Sequence, residues 1–182
     1  DQATARVQVA NVPLSWASGV VKTGTFGGEL TGGTLELTLR SIADVTATTT
    51  KPIAARGISA TLNGQPKLKN LDLLANFTAT KKDNAITYDV RELQATQGAT
   101  ALAKVEVTGT AELGGKPAFS AKGHLQADAA ALMQQPAIAS YASLSRGNID
   151  ASFEANVGQT IQANATVRAQ GLMAKQGNRP LG

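Results

Sequence analysis

Apolar and polar residues alternate with a period of two along most of this chain, which is how a strand with one buried face is written. Phe119, Ala121, Gly123 and Leu125 fall on one side, with Ser120, Lys122, His124 and Gln126 on the other. Asp128 then precedes an Ala-rich run whose first turn its carboxylate can cap, and Pro136 stops that helix and can open a second one. The second helix carries Ile138, Tyr141 and Ala142 on one face, so the sequence predicts a broken helix within residues 129–144. Gly147 next releases the chain into Ile149, Ala151, Phe153, Ala155 and Val157. A turn at Gly158 leads into Ile161, Ala163, Ala165 and Val167, completing a long hairpin.

The same alternation recurs upstream. Ala5, Val7 and Val9 form an opening strand that ends at Asn11 and Pro13, and a short helix or turn follows at Leu14 to Ser18. The cluster Gly24 to Gly33 reads as turn glycines. After it Leu35, Leu37 and Leu39 point inward, and Glu36, Thr38 and Arg40 outward. Thr46 to Lys51 suits a strand. Ile58, Ala60 and Leu62 run into an Asn63-Gly64 turn, a loop holds Pro66, and Leu71, Leu73, Ala75 and Phe77 continue. Asp83-Asn84, Gly98 and Gly114-Gly115 punctuate two further strands through Ile86, Tyr88 and Val90 and through Ala101, Ala103, Val105 and Val107.

About nine or ten strands joined by short turns predict a mainly β fold, a curled antiparallel meander with an open β-groove and one short broken helix. Residues 1–174 read as one β-rich domain and 175–182 as a polar tail. The order of helical turn, glycine, strand, glycine turn and strand near the N-terminus returns at residues 138–168 as a weak internal repeat.

Composition narrows the function more than the fold. Aromatic residues make up 4% of the chain against 42% apolar, so the inward rows are aliphatic. The 17 Lys and Arg are scattered with one adjacent pair, Lys81-Lys82, and without an aromatic ladder, which argues against nucleic acid. A net charge of +4 is compatible with weak attraction to an anionic membrane surface. With no cysteine there is neither a disulfide nor a thiolate metal site, and no stretch is apolar enough to span a bilayer as a helix.

No motif calls for catalysis. The Gly24 to Gly33 cluster lacks dinucleotide-fingerprint spacing, and in the Gly114-Gly115-Lys116 group Pro117 and Thr110 stand where a phosphate loop needs Ser or Thr and its first glycine. His124, the only histidine, sits on a polar strand face with no acid beside it in sequence. The carboxylates are dispersed, Asp150 and Glu154 lying on an outward face. The reading is therefore a non-enzymatic chain with no cofactor, metal or catalytic residue. Its remaining signal is the aliphatic rows, which serve equally as a closed core or as the wall of an apolar groove.

The segment Gly123 to Leu172, with Gly123, Leu125, Asp128, Leu132, Leu144 and Gly147 as its fixed points, resembles the repeated unit of the AsmA-like superfamily of AsmA and TamB proteins. Val12-Pro13-Leu14, Gly24 and Leu30-Thr31-Gly32 are similar to a second pattern of that family. The resemblance implies a periplasmic protein of Gram-negative bacteria, tethered to the inner membrane in its full-length form, whose apolar trough takes part in phospholipid transport and outer-membrane biogenesis. The expected partners are phospholipid or other acyl chains, and the expected lining residues are Leu35, Leu37, Leu39, Ile149, Phe153, Ile161 and Val167. The alternative from the residues alone is an extracellular or periplasmic β-sandwich used in adhesion or carbohydrate binding, with a sealed core and its function in loops.

Overall fold

Short turns and long alternating segments produce one sheet. The computed structural model describes residues 2–19, 24–114, 118–139, 143–158, 160–176 and 179–181. Its strands are β1 (Ala3–Gln8), β2 (Val12–Pro13), β3 (Gly24–Ser41), β4 (Asp44–Leu62), β5 (Gln65–Lys82), β6 (Ala85–Gln97), β7 (Thr100–Glu112), β8 (Ala118–Asp128), β9 (Leu144–Val157), β10 (Ile161–Gln176) and β11 (Arg179–Leu181). The sheet order is β1-β3-β4-β5-β6-β7-β8-β9-β10-β11, all antiparallel, with β2 also laid against β3. The sheet does not close on itself. Asn63 and Gly64, with φ of 52° and 74°, make the tight β4–β5 hairpin that Asn-Gly favours.

Two short helices, α1 (Ala129–Leu132) and α2 (Pro136–Ala139), form the broken connection between β8 and β9. The Asp128 carboxylate accepts from the Ala131 N–H at 2.7 Å, as the sequence predicts, and Pro136 opens α2. Tyr141 and Ala142 lie outside the described residues. The 3₁₀ turn Leu14–Gly19 occupies the place expected for a short helix.

Several expectations are corrected. Gly24 to Gly33 is not a turn but the first half of the 18-residue strand β3, where Gly28 and Gly33 have φ of 100° and 142° at irregularities in the β3–β4 register. A Cβ at Gly28 would lie 2.7 Å from the Arg56 carbonyl oxygen, so these glycines allow strand bending and close approach rather than chain reversal. The internal repeat fails for the same reason: its first copy is one strand, its second a hairpin. Pro66 belongs to β5, opposite Thr61, rather than to a loop. Strand β9 begins before Gly147, at Leu144, and Lys175 and Gln176 of the polar tail extend β10, where β11 pairs back on them.

The helices pack on one end of one sheet face. Ala55, Ile58, Leu71, Leu102 and Ala131 form a buried cluster there, joined by Leu14, Leu30, Leu73, Ala95 and Leu132. Small side chains at Ala129 and Ala131, 0% and 3% exposed, let the helix lie close to the strands. Gln135 fastens this cap. Its amide accepts from the Lys69 N–H at 2.9 Å and donates to the Lys69 carbonyl at 3.2 Å and to Gln97 Oε1 at 3.1 Å.

Candidate functional site

Register places most apolar residues of successive strands on one side, Ala54 and Leu74 being exceptions that stand in a polar row with Gln94 and Lys104. Directly opposed residues in an antiparallel ladder share a face, so a chain of partners traces a row across the sheet. One unbroken row runs Ala5, Leu37, Ala47, Ala79, Tyr88, Gly109, Ala121, Ala155, Ala163 from β1 to β10. The next row outward contains Leu39, Val45, Lys81, Ile86, Phe119, Val157 and Ile161. Toward the helices, Val90, Val107, Gly123 and Phe153 form a row, then Leu93, Val105, Leu125, Ala151 and Val167, and then Ala55, Leu73, Ala95, Ala127 and Ile149.

The sequence-predicted residues Leu35, Leu37, Leu39, Ile149, Phe153, Ile161 and Val167 thus stand on the same face, although they come from β3, β9 and β10. Leu35, Leu37, Ile149 and Phe153 are half-buried, while Leu39, Val167 and Ile161 are 37%, 62% and 78% exposed. Among the described residues the helical cap, together with the 3₁₀ turn whose Leu14 joins the same cluster, is the layer on this face, and it covers one end. Val7, Phe119 and Val157 are exposed on the face as well. Three aromatic rings floor it: Phe153 lies over Gly123, and Tyr88 stacks with Phe119 at 6.1 Å while the Tyr88 hydroxyl donates to the Ser120 carbonyl. Burial raises the Tyr88 pKa.

The opposite face is polar and built from matching rows. Thr4, Thr38, Thr46, Thr80, Thr87, Thr110 and Ser120 oppose one another strand by strand, with Thr46 to Thr80 at 3.1 Å and Thr110 to Ser120 at 2.8 Å. Shallow hollows of about 520 and 600 Å³ lie on this side, between polar rows that include Lys122, His124 and Glu154 in one and Lys104, Asp150 and Arg168 in the other.

His124 does have an acid beside it. Asp150 reaches it diagonally from β9, Nε2 to Oδ2 at 3.3 Å, and Nδ1 lies 3.4 Å from Ser152 Oγ. This trio of residue types is that of a nucleophilic triad, but it lies open to solvent, and the neighbouring main chain is engaged in the β8–β9 ladder. Lys104 extends the surface network to Glu92 and Glu106 at 3.6 and 3.3 Å. Among the described residues no group of three His, Cys, Asp or Glu is placed to hold a metal ion, and no helix is long and apolar enough to cross a membrane. No protein-family model, curated protein or solved structure matches this chain.

Sequence reasoning missed the Gln135 clasp and the His124–Asp150 pair. Only strand adjacency carries the second signal, since Gln126 opposes Asp150 and His124 opposes Ser152.

Proposed function

We propose that the uncovered apolar face shields lipid acyl chains from water, without catalysis, as part of phospholipid transport and outer-membrane biogenesis in the periplasm. One observation carries the reading: the apolar rows traced across a single sheet stand on one side, and among the described residues that side has no second layer away from the capped end. Each methylene that leaves water against such a surface gains about 0.8 kcal/mol. A chain of ordinary lipid length therefore needs no polar anchor to be held. Lys81, the only charged residue in the five rows traced above, stands near the Asp83-Asn84 turn at the bare end, where the phosphate of a lipid headgroup would meet it. The resemblance to AsmA-like proteins supports the same reading and supplies the expectation of an inner-membrane tether. The adhesion alternative calls for a two-layered sandwich, whereas the described strands belong to one open sheet, which favours the lipid reading.

The test uses a photo-crosslinkable phospholipid and the variants Ile161→Asn and Val167→Asn. Both side chains are mostly exposed, so their loss removes little packing and the melting temperature should hold. Lipid capture should fall in each. A parent chain that captures no phospholipid, or variants that capture it undiminished, refutes the reading.

A further inference from the structure

The hairpin turns at the two ends of the strands differ in a way that acyl-chain shielding does not use. At the capped end they are Asn63-Gly64 and Gly98-Ala99, without a large side chain. At the bare end β3 and β4 meet through Ile42-Ala43, β5 and β6 meet through Asp83-Asn84, and Leu113 leads out of β7 toward β8. Ile42 is 96% exposed and Leu113 is 48% exposed. Small and Asx residues suit tight turns, and a branched aliphatic at the apex of one serves neither the turn nor the core. These turns connect strands that are paired on both sides, and they are tied to one another. The Asp83 N–H donates to the Ala43 carbonyl at 2.7 Å, and the Leu113 N–H donates to the Asn84 carbonyl at 2.5 Å. The two aliphatic tips are therefore held in one line, about 19 Å apart at four strand spacings.

We infer that this line of turns is a docking edge for a phospholipid bilayer, with Ile42 and Leu113 entering the interfacial region and Lys81 and Lys82 meeting the phosphates. The inference rests on the lipid reading, for which it sets where the open face meets its source of lipid. The occupant follows from shape and charge. A protein partner or a second copy needs a contiguous patch, but between the two tips lie the polar residues Lys82 to Asn84 and Glu112. A bilayer needs only apolar points on a rigid line, and long cationic stems can reach its headgroups from an apolar setting such as that of Lys81 beside Val45 and Ile86. Arg40 pairs with Asp44 at 3.8 Å, and Lys81 and Lys82 are balanced by Asp83 and Glu112, so the described residues of this edge carry no excess of either sign. That balance suits a zwitterionic headgroup layer. Behind the tips stand Phe119, Val157 and Ile161, so an acyl chain leaving the bilayer passes directly onto the apolar face. Two inserted side chains give a reversible attachment, since even a whole myristoyl chain binds only marginally.

Flotation of the whole chain with phosphatidylcholine vesicles tests the edge. The parent should float, and raising the salt should change this little, because apolar insertion and not net charge holds it. Ile42→Asp and Leu113→Asp should each lower the bound fraction about tenfold, while Ile42→Leu keeps it. Ile42 packs against nothing that its loss would disturb, so an unchanged melting temperature in Ile42→Asp excludes unfolding as the cause. Orientation has its own reporter. Trp16 is the only tryptophan, 60% exposed on the 3₁₀ turn at the capped end, roughly 35 Å from Ile42 along β3. On vesicles its fluorescence should stay unshifted in the parent, whereas Ile42→Trp in a Trp16→Phe background should shift to the blue. A parent that does not float, flotation undiminished in Ile42→Asp, a blue shift of Trp16 in the parent, or a doubled mass by light scattering that Ile42→Asp abolishes overturns the proposal. Capture of a photo-crosslinkable phospholipid presented in detergent separates the two readings: capture by a parent that does not float leaves the lipid reading standing while removing this one.

Discussion

Replacing Gln135 by Ala should release the helical cap. The side chain is 2% exposed and satisfies both main-chain groups of Lys69 at a place where the β4–β5 register slips, between the pairs Ile58–Leu71 and Ala60–Leu68. Gln135→Ala leaves the Lys69 N–H and C=O without those partners. Lys69 is itself exposed and these bonds are part-buried, so water can reach the freed groups in part, and with the lost link to the half-buried Gln97 the total is about 1–2 kcal/mol. Against a stability of about 5–15 kcal/mol this is a large fraction. Urea unfolding should show a lower midpoint at an unchanged slope. Gln135→Glu keeps an acceptor for the Lys69 N–H but sets a carboxylate oxygen against the Lys69 carbonyl. It should be at least as damaging at neutral pH, and its deficit should narrow as pH falls through about 4, where a protonated carboxyl can donate again. A loss below about 0.5 kcal/mol for Gln135→Ala, with the Lys69 amide still protected from hydrogen exchange, would refute the clasp.

Further outcomes follow from the faces. Gly123→Ala should cost about 1–3 kcal/mol in denaturant titration, because a Cβ there meets the Glu106 carbonyl oxygen at 2.5 Å and the Phe153 ring at 2.6 Å. Burial raises the Tyr88 pKa, so above about pH 10 the folded chain keeps a proton that the unfolded chain loses. Its melting temperature should therefore fall as pH rises through that range, and Tyr88→Phe should flatten the fall. His124→Ala should change stability by no more than about 0.5 kcal/mol, since an exposed pair with Asp150 contributes little, and a larger loss in thermal unfolding would show that the polar network is structural.

Strand order, turn positions and the broken helix were legible because each is written locally. Alternation with period two marks a strand wherever it falls, Asn63-Gly64 marks a hairpin without reference to anything distant, and Asp128 and Pro136 mark helix starts. The errors arise where local letters have two structural meanings. Gly28 and Gly33 look like turn glycines, and only their approach to Arg56 and Ile53 on β4 shows that they are positions where β3 bends without reversing. Pro66 looks like a loop residue until its pairing with Thr61 places it at the start of a strand. The partners of Gln135 and His124 depend on register, on the slip near Asn70 and on the β8–β9 offset, and no spacing along the chain encodes either. The candidate lining residues were found from alternation, but alternation is the same for a sealed core and for a bare face. The absence of a second layer among the described residues distinguishes them.

Exposure across the apolar face gives it a direction. Ala127 and Ala151, in the two traced rows nearest the cap, are each 8% exposed, whereas Phe119, Val157 and Ile161 in the outermost row are 42%, 36% and 78% exposed. Val167, on β10 but three rows nearer the cap, is 62% exposed. Hydrophobic gain scales with apolar area removed from water, and side chains already hidden by neighbours have little left to give. A lipid would therefore gain most over the outer row and Val167, and least against the alanines near the cap. Under the proposed function, acyl chains approach from the Asp83-Asn84 end, and the cap closes the far end. Loosening Gln135 should then add apolar surface at the closed end. Dye or lipid binding that rises in Gln135→Ala is the outcome this arrangement requires.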